Sequence, residues 1–455
     1  MTENAMNKSF GKNKMTVLLL FGLIGQLAWS VENMYFNLFV FDTIEPNLSA
    51  ITLMVQLSAI AATVVTLIAG TVSDKLGNRR HFISLGYVIW GITVAAFGFI
   101  SPEIFEGLFG MEYDAAVRAA LTTVIIGDCV MTLFGSTAND AAFNAWVTEN
   151  TPSSQRGRIE SILSVLPLVS MLIVAGAFGI IVEAVGYAPV FLGLGIIITA
   201  SGIFGIFMIK DSDRLEKNGE LVDIVYGFKP STVKANKPFY VTLLIMCVYG
   251  IACQIFMPYL IIYMKTYLGF SVIEYSLVFG LAIALGAVIN LILGRLSDKL
   301  QKAKLLYIAA AIFASGLILM YIMKDMSHTA TLILFGISGF VMICGYIYVS
   351  ALTGAIMRDE TPEGEAGKLQ GVRMIFSVLI PMLIGPTIGN GINMIRNIPL
   401  PDAETSADAM TTLYIPAPEI YLVAAGVALI LFAVIPYLVR LCSSKQKEKA
   451  TVSEE

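Results

Sequence analysis

The stretch Gly70-Thr71-Val72-Ser73-Asp74-Lys75-Leu76 occurs a second time, with two changes, as Gly294-Arg295-Leu296-Ser297-Asp298-Lys299-Leu300. The copies lie 224 positions apart, from 74 to 298, and each follows directly after a long apolar segment. A second pair of loops, 151–159 and 361–369, matches at an offset of 210. The two repeats indicate a duplicated chain in which charged loops join long apolar helices.

The composition places these helices in lipid. Of the 455 residues, 57% are hydrophobic and 14% are charged, and the mean hydropathy is +0.79. This leaves too little polar surface to cover a soluble globule of this size. A membrane-spanning helix needs about 20 mainly apolar residues. Segments of that kind are centred near residues 28, 60, 90, 134, 171, 199, 251, 284, 314, 343, 383 and 430, which predicts an all-α integral membrane protein with twelve transmembrane helices in two pseudo-symmetric six-helix halves.

The distribution of Lys and Arg predicts the orientation. Basic loops stay in the cytoplasm. With an inside N-terminus, the inside segments contain all of the 29 Lys and Arg residues except Arg118, Lys265, Lys324 and Arg396. We therefore expect both termini to be cytoplasmic, in a multi-pass protein of the cell (plasma) membrane that acts as a monomer. The apolar stretch after residue 14 is too long for the core of a signal peptide and predicts a retained first helix.

Breaks in the apolar pattern predict the domain boundaries. A charged stretch over 210–237 interrupts it between the sixth and seventh spans, ending at Lys237-Pro238. The predicted organisation is a cytoplasmic N-terminal segment at 1–14, a first six-helix half at 15–209, a cytoplasmic linker at 210–237, a second half at 238–440 and a cytoplasmic tail at 441–455.

Enzymatic and nucleic-acid-binding functions find little support. His81 and His328 lie at the ends of their spans, away from any Cys or acidic cluster. There is no Walker-type phosphate loop, and the five cysteines imply neither a disulfide framework nor a metal site. We expect no catalytic residues, no metal, no cofactor and no nucleic-acid partner. A membrane enzyme or a solute sensor on the same scaffold stays open as an alternative outside transport.

The first of the duplicated loops reads G-x-x-x-D-K-x-G-x-R-R over 70–80, which resembles the signature loop between helices 2 and 3 of the major facilitator superfamily. The resemblance implies alternating access between two halves. It also implies that this loop latches the cytoplasmic side in the outward-open state, and Gly70 is expected to permit close helix packing. The other reading is that these basic residues are ordinary positive-inside anchors. The predicted latch consists of Gly70, Asp74, Gly77, Arg79, Arg80 and, in the second copy, Asp298.

Three acids fall inside predicted spans: Glu32, Asp128 and Asp140. Ionisable groups in a membrane cost about 2.5–3.5 kcal/mol each on insertion scales and indicate function. A carboxyl group in a low-dielectric cavity takes up a proton more readily than one in water, which is the chemistry of proton coupling. A packing role, with each acid hydrogen-bonded to an amide or phenol, is the alternative. The predicted coupling residues are Glu32, Asp128, Asp140 and Asn144, with H⁺ (or Na⁺) as the coupling ion.

Helical spacing sorts the polar residues of the fourth span into two faces. Asp128, Thr132, Gly135 and Asn139 follow steps of four, three and four on one face. Another face carries Thr137, Asp140 and Asn144. One face is expected to line a cavity and the other to contact a neighbouring helix.

Aromatic and amide side chains recur at midplane depth in the first, seventh, tenth and eleventh spans. Flat rings stack on a sugar while amides and phenols bind its hydroxyls, although the same aromatics also serve as packing groups. The predicted solute-binding residues are Gln26, Trp29, Asn33, Tyr249, Gln254, Tyr259, Tyr346 and Asn390.

The segment from Asn144 to Glu149, followed by Thr151-Pro152 and Arg156, also resembles the corresponding loop of glycoside-pentoside-hexuronide:cation symporters, which implies solute import. The second span lacks the acids those proteins carry there. We therefore expect a secondary active transporter that moves a small polar solute, a sugar or related metabolite, through the lipid bilayer by proton-coupled symport. Proton-coupled efflux of amphipathic compounds is the alternative within transport.

Overall fold

A computed structural model describes residues 11–151, 155–211, 226–297, 300–323, 326–362, 366–400 and 413–454. Within these ranges twelve helices are long and apolar enough to cross a membrane. They are α1 Lys12–Thr43, α2 Leu48–Gly70, α3 Arg79–Phe99, α4 Tyr113–Asn150, α5 Ile162–Val185, α6 Tyr187–Met208, α7 Lys237–Thr266, α8 Val272–Asn290, α9 Lys302–Ile322, α10 His328–Glu360, α11 Gly371–Arg396 and α12 Glu419–Ser444. The predicted number of spans is confirmed.

Shorter elements lie between the spans. A helix over Pro102–Phe109 joins α3 to α4; the Ser101 hydroxyl caps its start, and it ends at Gly110, whose φ of 63° suits glycine. Another short helix, Pro230–Ala235, precedes α7. Strands β1 Ile398–Pro399 and β2 Tyr414–Ile415 pair antiparallel between α11 and α12, with Ile398 opposite Ile415.

The chain forms two compact units. The first consists of residues 1–46 and 57–221, and the second of residues 47–56 and 222–455. The first turns of α2 therefore group with the second unit and the rest of that helix with the first. Most of the predicted linker, 212–225, and much of the predicted N-terminal segment, 1–10, lie outside the described residues.

Small residues let helices approach closely inside each unit. In the first unit, a methyl group added at Gly91 of α3 would meet the backbone of α6 at Gly195 and Thr199. In the second, a methyl group on Gly316 of α9 would meet the backbone of α10 at Met342. Because lipid is as apolar as the helix surfaces, the hydrophobic effect does not drive helices together in a membrane, and such close contacts supply much of the packing energy.

Four helices contain π-helical segments: Glu32–Phe36 in α1, Ser136–Phe143 in α4, Val174–Phe178 in α5 and Ile375–Leu379 in α11. In α11 this segment ends two residues before Pro381, and Pro386 follows inside the helix. A π segment inserts an extra residue per turn and often marks a functional site. Two of the four segments contain an acid of the predicted coupling set.

Candidate functional site

Four oxygen-bearing side chains meet inside the first unit, and we call them the carboxyl–hydroxyl cluster: Glu32 of α1, Ser58 of α2, and Asp128 and Thr132 of α4. Oε1 of Glu32 lies 3.3 Å from Ser58 Oγ and 3.3 Å from Thr132 Oγ1. The two hydroxyl oxygens are 2.7 Å apart. Each hydroxyl has one proton, so two protons serve these three contacts.

Asp128 completes the cluster from the buried face of α4. Its side chain is 2% exposed, and the Ser58 hydroxyl lies beside its carboxyl group. Asp128 is also near enough to Glu32 for two ionised carboxylates to repel each other. Among the described residues, Oδ1 of Asp128 and Oε2 of Glu32 are both buried without a hydrogen-bond partner. Buried polar atoms normally have partners, so these two oxygens mark a site where a proton or a cation would be stabilised.

The third acid lies apart from this cluster. Asn139 Nδ2 is 3.3 Å from Asp140 Oδ1. The indole nitrogen of Trp29 and the Ser136 hydroxyl lie near the same carboxyl without completing a hydrogen bond. Tyr87 Oη is 3.0 Å from Asn139 Oδ1 and 2.7 Å from the carbonyl oxygen of residue 21, and its single proton can go to only one of them. Asp140 thus belongs to a network of neutral polar groups.

Two glycines make room for this network. A methyl group added at Gly25 would lie 2.5 Å from Asn139 Oδ1 and 2.6 Å from Tyr87 Oη. One added at Gly135 would lie 2.8 Å from the Trp90 ring, which contacts the Trp29 ring at a centroid distance of 5.0 Å. Neither position tolerates a side chain without displacing a member of the network.

A polar recess opens beside Asp140. It lies between α1, α4 and α5. Its polar lining comes from Gln26, Asn139 and Asn144, and its apolar lining from Gly22, Phe143, Leu163 and Leu166. Asn139 therefore touches both the recess and the Asp140 carboxyl group. Two predicted residues, Gln26 and Asn144, meet here, whereas predicted Asn33 is exposed and donates to the backbone oxygen of Trp29.

In the second unit, the predicted solute-binding residues separate into two places. Tyr249 donates to the backbone oxygen of Tyr346 at 2.9 Å, and their ring centroids are 5.7 Å apart. Gln254, one turn further along α7, packs against Gly385 of α11, where a methyl group would clash with it. Tyr249 and Tyr346 therefore contact each other across α7 and α10, while Gln254 contacts α11.

Tyr259 and Asn390 lie instead with the first turns of α2, inside the second unit. Tyr259 Oη is 2.6 Å from Thr52 Oγ1 and 3.1 Å from the carbonyl oxygen of Pro386. Asn390 donates to Ser49 at 3.1 Å and accepts from the Tyr414 hydroxyl at 2.9 Å. Both predicted residues are thus committed to hydrogen bonds that hold this end of α2.

The predicted latch loop is built around Arg79. The helix of α2 continues to Leu76 and ends at Gly77, whose φ is 63°. The Arg79 guanidinium bonds Glu149 Oε1 through two nitrogens, at 2.6 and 3.1 Å, and also contacts the Ser73 hydroxyl. This ion pair joins the start of α3 to the end of α4 within the first unit. Only 4% of the Arg79 side chain is exposed.

Other members of the predicted latch have different surroundings. The Arg80 backbone N–H donates to Asp211 at 2.9 Å. In the part of the chain that the structure describes, a methyl group added at Gly70 would meet no atom within 4 Å, so the expected close helix packing at this glycine is wrong. Asp74 lies in the last turns of the α2 helix. Asp298 lies outside the described residues.

Comparison with known proteins assigns the family. The family model described as Major Facilitator Superfamily matches residues 18–386, which is most of the chain. The chain belongs to the major facilitator superfamily. It is therefore a multi-pass integral membrane transporter, as its twelve apolar helices require.

The matched members of the superfamily described here share little sequence with this chain. The protein named Probable sulfoacetate transporter SauU, from Cupriavidus necator, is 24% identical over 322 residues, which cover 67% of this chain and 69% of that protein. Among solved structures, a D-xylose-proton symporter matches with a TM-score of 0.69 at 13% identity, covering 92% of this chain and 96% of that one. The nucleoside transporter NupG matches with a TM-score of 0.63 at 13% identity, covering 94% and 99%. These structures establish the shared fold.

The structure adds three polar residues that belong to none of the predicted sites: Ser58, Tyr87 and Glu149. Ser58 and Tyr87 are isolated polar residues in apolar helices, and nothing in their spacing distinguishes them. Glu149 did have a signal, because the 210 offset places it opposite Asp359 of the second half, where another acid ends the equivalent helix.

Proposed function

We propose that this chain is a secondary active transporter that carries a small, polar, uncharged solute, a sugar or related metabolite, together with a proton. The observation that carries the proposal is the position of Asn139, which lines the recess and bonds the Asp140 carboxyl group. A solute hydroxyl that binds Asn139 changes the hydrogen bonding of Asp140. Solute binding and proton binding at this site are therefore linked.

The lining of the recess supports an uncharged solute. Amides of Gln26, Asn139 and Asn144 offer both donors and acceptors to hydroxyl groups, while Phe143 and two leucines supply an apolar face. Every Lys and Arg of the twelve spans lies near a helix end, so the middle of the membrane has acids and no fixed cation. A compact anion would have no counter-charge there, and its desolvation would be uncompensated.

The three matched proteins are all named as transporters or symporters of small polar compounds, but each is named for a different compound. One is named for sulfoacetate, one for nucleosides and one for D-xylose with a proton. The solute class proposed here rests on the recess. In the second half, Tyr249, Gln254 and Tyr346 are the candidates for further solute contacts, and we place the protein in the cell membrane as a monomer.

The test is solute-driven proton movement in de-energised vesicles that contain the full chain with its cytoplasmic side inside. The external medium is lightly buffered, and sugars, glycosides, nucleosides, uronates and sulfoacetate are added in turn. We expect the outside to become alkaline with one neutral solute, because each solute enters with a proton. Asp140→Asn should abolish this change yet retain solute-for-solute exchange, which needs no net proton movement.

Glu183→Gln is the matched control, because Glu183 is an exposed acid in α5 outside the recess. It should keep the full pH response. Proton movement that persists in Asp140→Asn would remove Asp140 from the proposal. An absence of proton movement with every solute, together with proton-driven export of amphipathic cations, would replace import by efflux.

A further inference from the structure

The helix Pro102–Phe109, which we call the outer helix, joins α3 to α4 and belongs to neither the recess nor the carboxyl–hydroxyl cluster. It explains why the repeat offset falls from 224 to 210 along the chain, because the first half contains this extra segment. In the second half, the equivalent spans α9 and α10 are separated by residues 323–327 alone. The first half therefore carries an element for which its counterpart has no equivalent.

Local signals at both ends make this segment a helix. The Ser101 hydroxyl accepts a hydrogen bond from the Ile104 N–H at 3.4 Å. Pro102 occupies the first turn, where its missing N–H would have had no partner within the helix. Gly110 ends the helix in the left-handed conformation, with a φ of 63°. The directions of the side chains of the outer helix are therefore fixed relative to one another.

The outer helix is amphipathic. Its large apolar side chains follow steps of one, three and one residues and cover an arc of about 140° around the helix axis. They are Ile104, Phe105, Leu108 and Phe109. The opposite arc carries Glu103 and Glu106. One face of the outer helix is therefore apolar and the other acidic.

In the described part of the chain, the apolar face is only partly covered. The outer helix packs against α4, and Ile104 and Phe105 are half-buried. In contrast, Leu108 is 74% exposed and Phe109 is 64% exposed. Neighbouring large apolar side chains exposed to this extent mark a surface that contacts another protein or a membrane.

The chain keeps the outer helix at a membrane boundary. Two residues separate it from the end of α3 at Phe99 and three from the start of α4 at Tyr113, which allows a reach of about 7–11 Å. Phe99 and Tyr113 are themselves exposed. Exposed apolar side chains thus continue from the ends of both spans onto the outer helix, so the lipid that surrounds the spans also meets this helix.

The charges around the outer helix select among lipids. Residues 100–117 contain four acids and no Lys or Arg, which assigns this loop to the outer side of the membrane. The acids are Glu103, Glu106, Glu112 and Asp114. Interfacial helices are commonly rich in Lys and Arg, which attract anionic lipids. Acids repel such lipids, so the complementary surface here consists of neutral, zwitterionic headgroups.

We infer that the outer helix is an interfacial anchor, whose apolar face lies in the outer leaflet among zwitterionic phospholipids and whose acidic face contacts water. The anchor fixes the depth in the membrane at which α3 ends and α4 begins. This inference goes beyond the proposed function, because contact with lipid requires neither a solute nor a proton, and either can fail without the other.

The experiment is site-directed spin labelling of the full chain in phosphatidylcholine vesicles. Labels are placed at Leu108→Cys and Phe109→Cys, and Glu103→Cys is the matched control on the opposite face of the same helix. Each variant also carries Cys129→Ala and Cys442→Ala, because the other three cysteines are buried. This background, treated with the label in parallel, supplies the blank.

Electron paramagnetic resonance measures how often each label collides with oxygen, which concentrates in lipid, and with a water-soluble nickel chelate. The ratio of the two collision rates should be several times higher at positions 108 and 109 than at position 103. A ratio at position 108 as low as that at position 103 would show that water covers the apolar face. Shielding of position 108 from both reagents would show that protein covers it, and either result would overturn the anchor.

The lipid composition tests the preference for neutral headgroups. Replacing half of the phosphatidylcholine by phosphatidylglycerol should lower the ratio at position 108, because the acids then meet an anionic surface, and added salt should reverse the change. Glu103→Gln combined with Glu106→Gln should weaken this response. Glu183→Gln, at an exposed acid near the end of α5, should not. An unchanged ratio in the anionic vesicles would overturn the preference for neutral lipid.

Discussion

The two halves repeat the same order of six helices, yet they bury different chemistry. Among the described residues, the charged side chains that are less than one tenth exposed are Arg79 and Asp128, and both belong to the first unit. The buried polar side chains described on α7 to α12 are neutral hydroxyls and amides, among them Thr242, Ser338 and Asn393. Duplication of the helices has therefore not preserved duplicate buried charges.

A pair of equivalent contacts makes the difference quantitative. Glu149 and Asp359 occupy matching positions at the 210 offset, and each pairs with a basic residue at the start of another helix of its own unit. Arg79 and Glu149 are 2.6 Å apart with side-chain exposures of 4% and 20%. Lys302 and Asp359 are also 2.6 Å apart, but their exposures are 31% and 56%. Equal distances in different surroundings should differ in energy, since water screens the second pair.

The largest expected effect is at Arg79. Arg79→Gln removes the guanidinium and leaves the Glu149 carboxylate without its two charged hydrogen bonds. Breaking a buried pair in this way costs about 3–5 kcal/mol, so the unfolding midpoint of the purified protein in detergent should fall sharply.

The matched control for Arg79→Gln is Lys302→Gln, which removes the exposed pair and should cost about 1 kcal/mol or less. Thermal unfolding of the two variants under identical conditions measures the difference directly. Equal losses of stability would refute the view that burial separates the two halves.

The second prediction introduces a buried acid into the second half. Ser338 of α10 matches Asp128 at the 210 offset and is 1% exposed, and its hydroxyl bonds the backbone oxygen of Phe335. Ser338→Asp places a carboxyl group where no hydroxyl cluster receives it, at a cost of about 2.5–3.5 kcal/mol for an acid at the centre of a membrane helix. Thermal unfolding and the yield of folded protein should both decrease.

The reciprocal control is Asp128→Asn, which removes an acid with an unpartnered buried oxygen. Its unfolding midpoint should be unchanged or higher, because the variant no longer buries a carboxyl group at that site. A destabilisation as large as that of Ser338→Asp would mean that Asp128 serves packing alone.

The smallest effect tests the neutral hydrogen bonds of the second half. Tyr249→Phe removes the bond to the backbone oxygen of Tyr346, which is worth about 0.5–1.5 kcal/mol. Tyr437→Phe, at a residue 49% exposed on α12, controls for loss of a phenol and should leave stability unchanged. If Tyr249 also contacts the solute, its variant should raise KM in the uptake assay, whereas the Tyr437 variant should not. Identical behaviour of the two variants in both measurements would leave Tyr249 without a special role.

Helical periodicity predicted the buried face of α4 but not the lining of the recess, because Asn139 and Asn144 were assigned to different faces and both line it. Asp128, Thr132, Gly135 and Asn139 are all buried, as one face of the helix requires, and Asn144 is exposed on another. The predicted face of α4 stays buried up to Asn139 although a π segment begins at Ser136. Glu32 was found as an acid inside a predicted span, but the sequence offered no means of pairing it with Ser58, because the two residues lie on different helices.

Arg79 and Gly77 illustrate a second limit. The glycine and the basic cluster were both readable from the 70–80 loop, since they are local in the chain. The partner of Arg79 was not, because Glu149 is 70 residues away and long-range pairing depends on how α3 and α4 pack.

The amino-acid sequence by itself determined the twelve spans, the duplication and the membership of the family, because apolar length and local motifs are properties of consecutive residues. Only the tertiary structure decided that Glu32, Ser58, Asp128 and Thr132 converge while Asp140 bonds Asn139 of the recess, and that Tyr259 and Asn390 hold the first turns of α2. The physical reason is that the rotation of each helix about its axis is set by packing against its neighbours, and no single helix encodes that rotation in its own spacing.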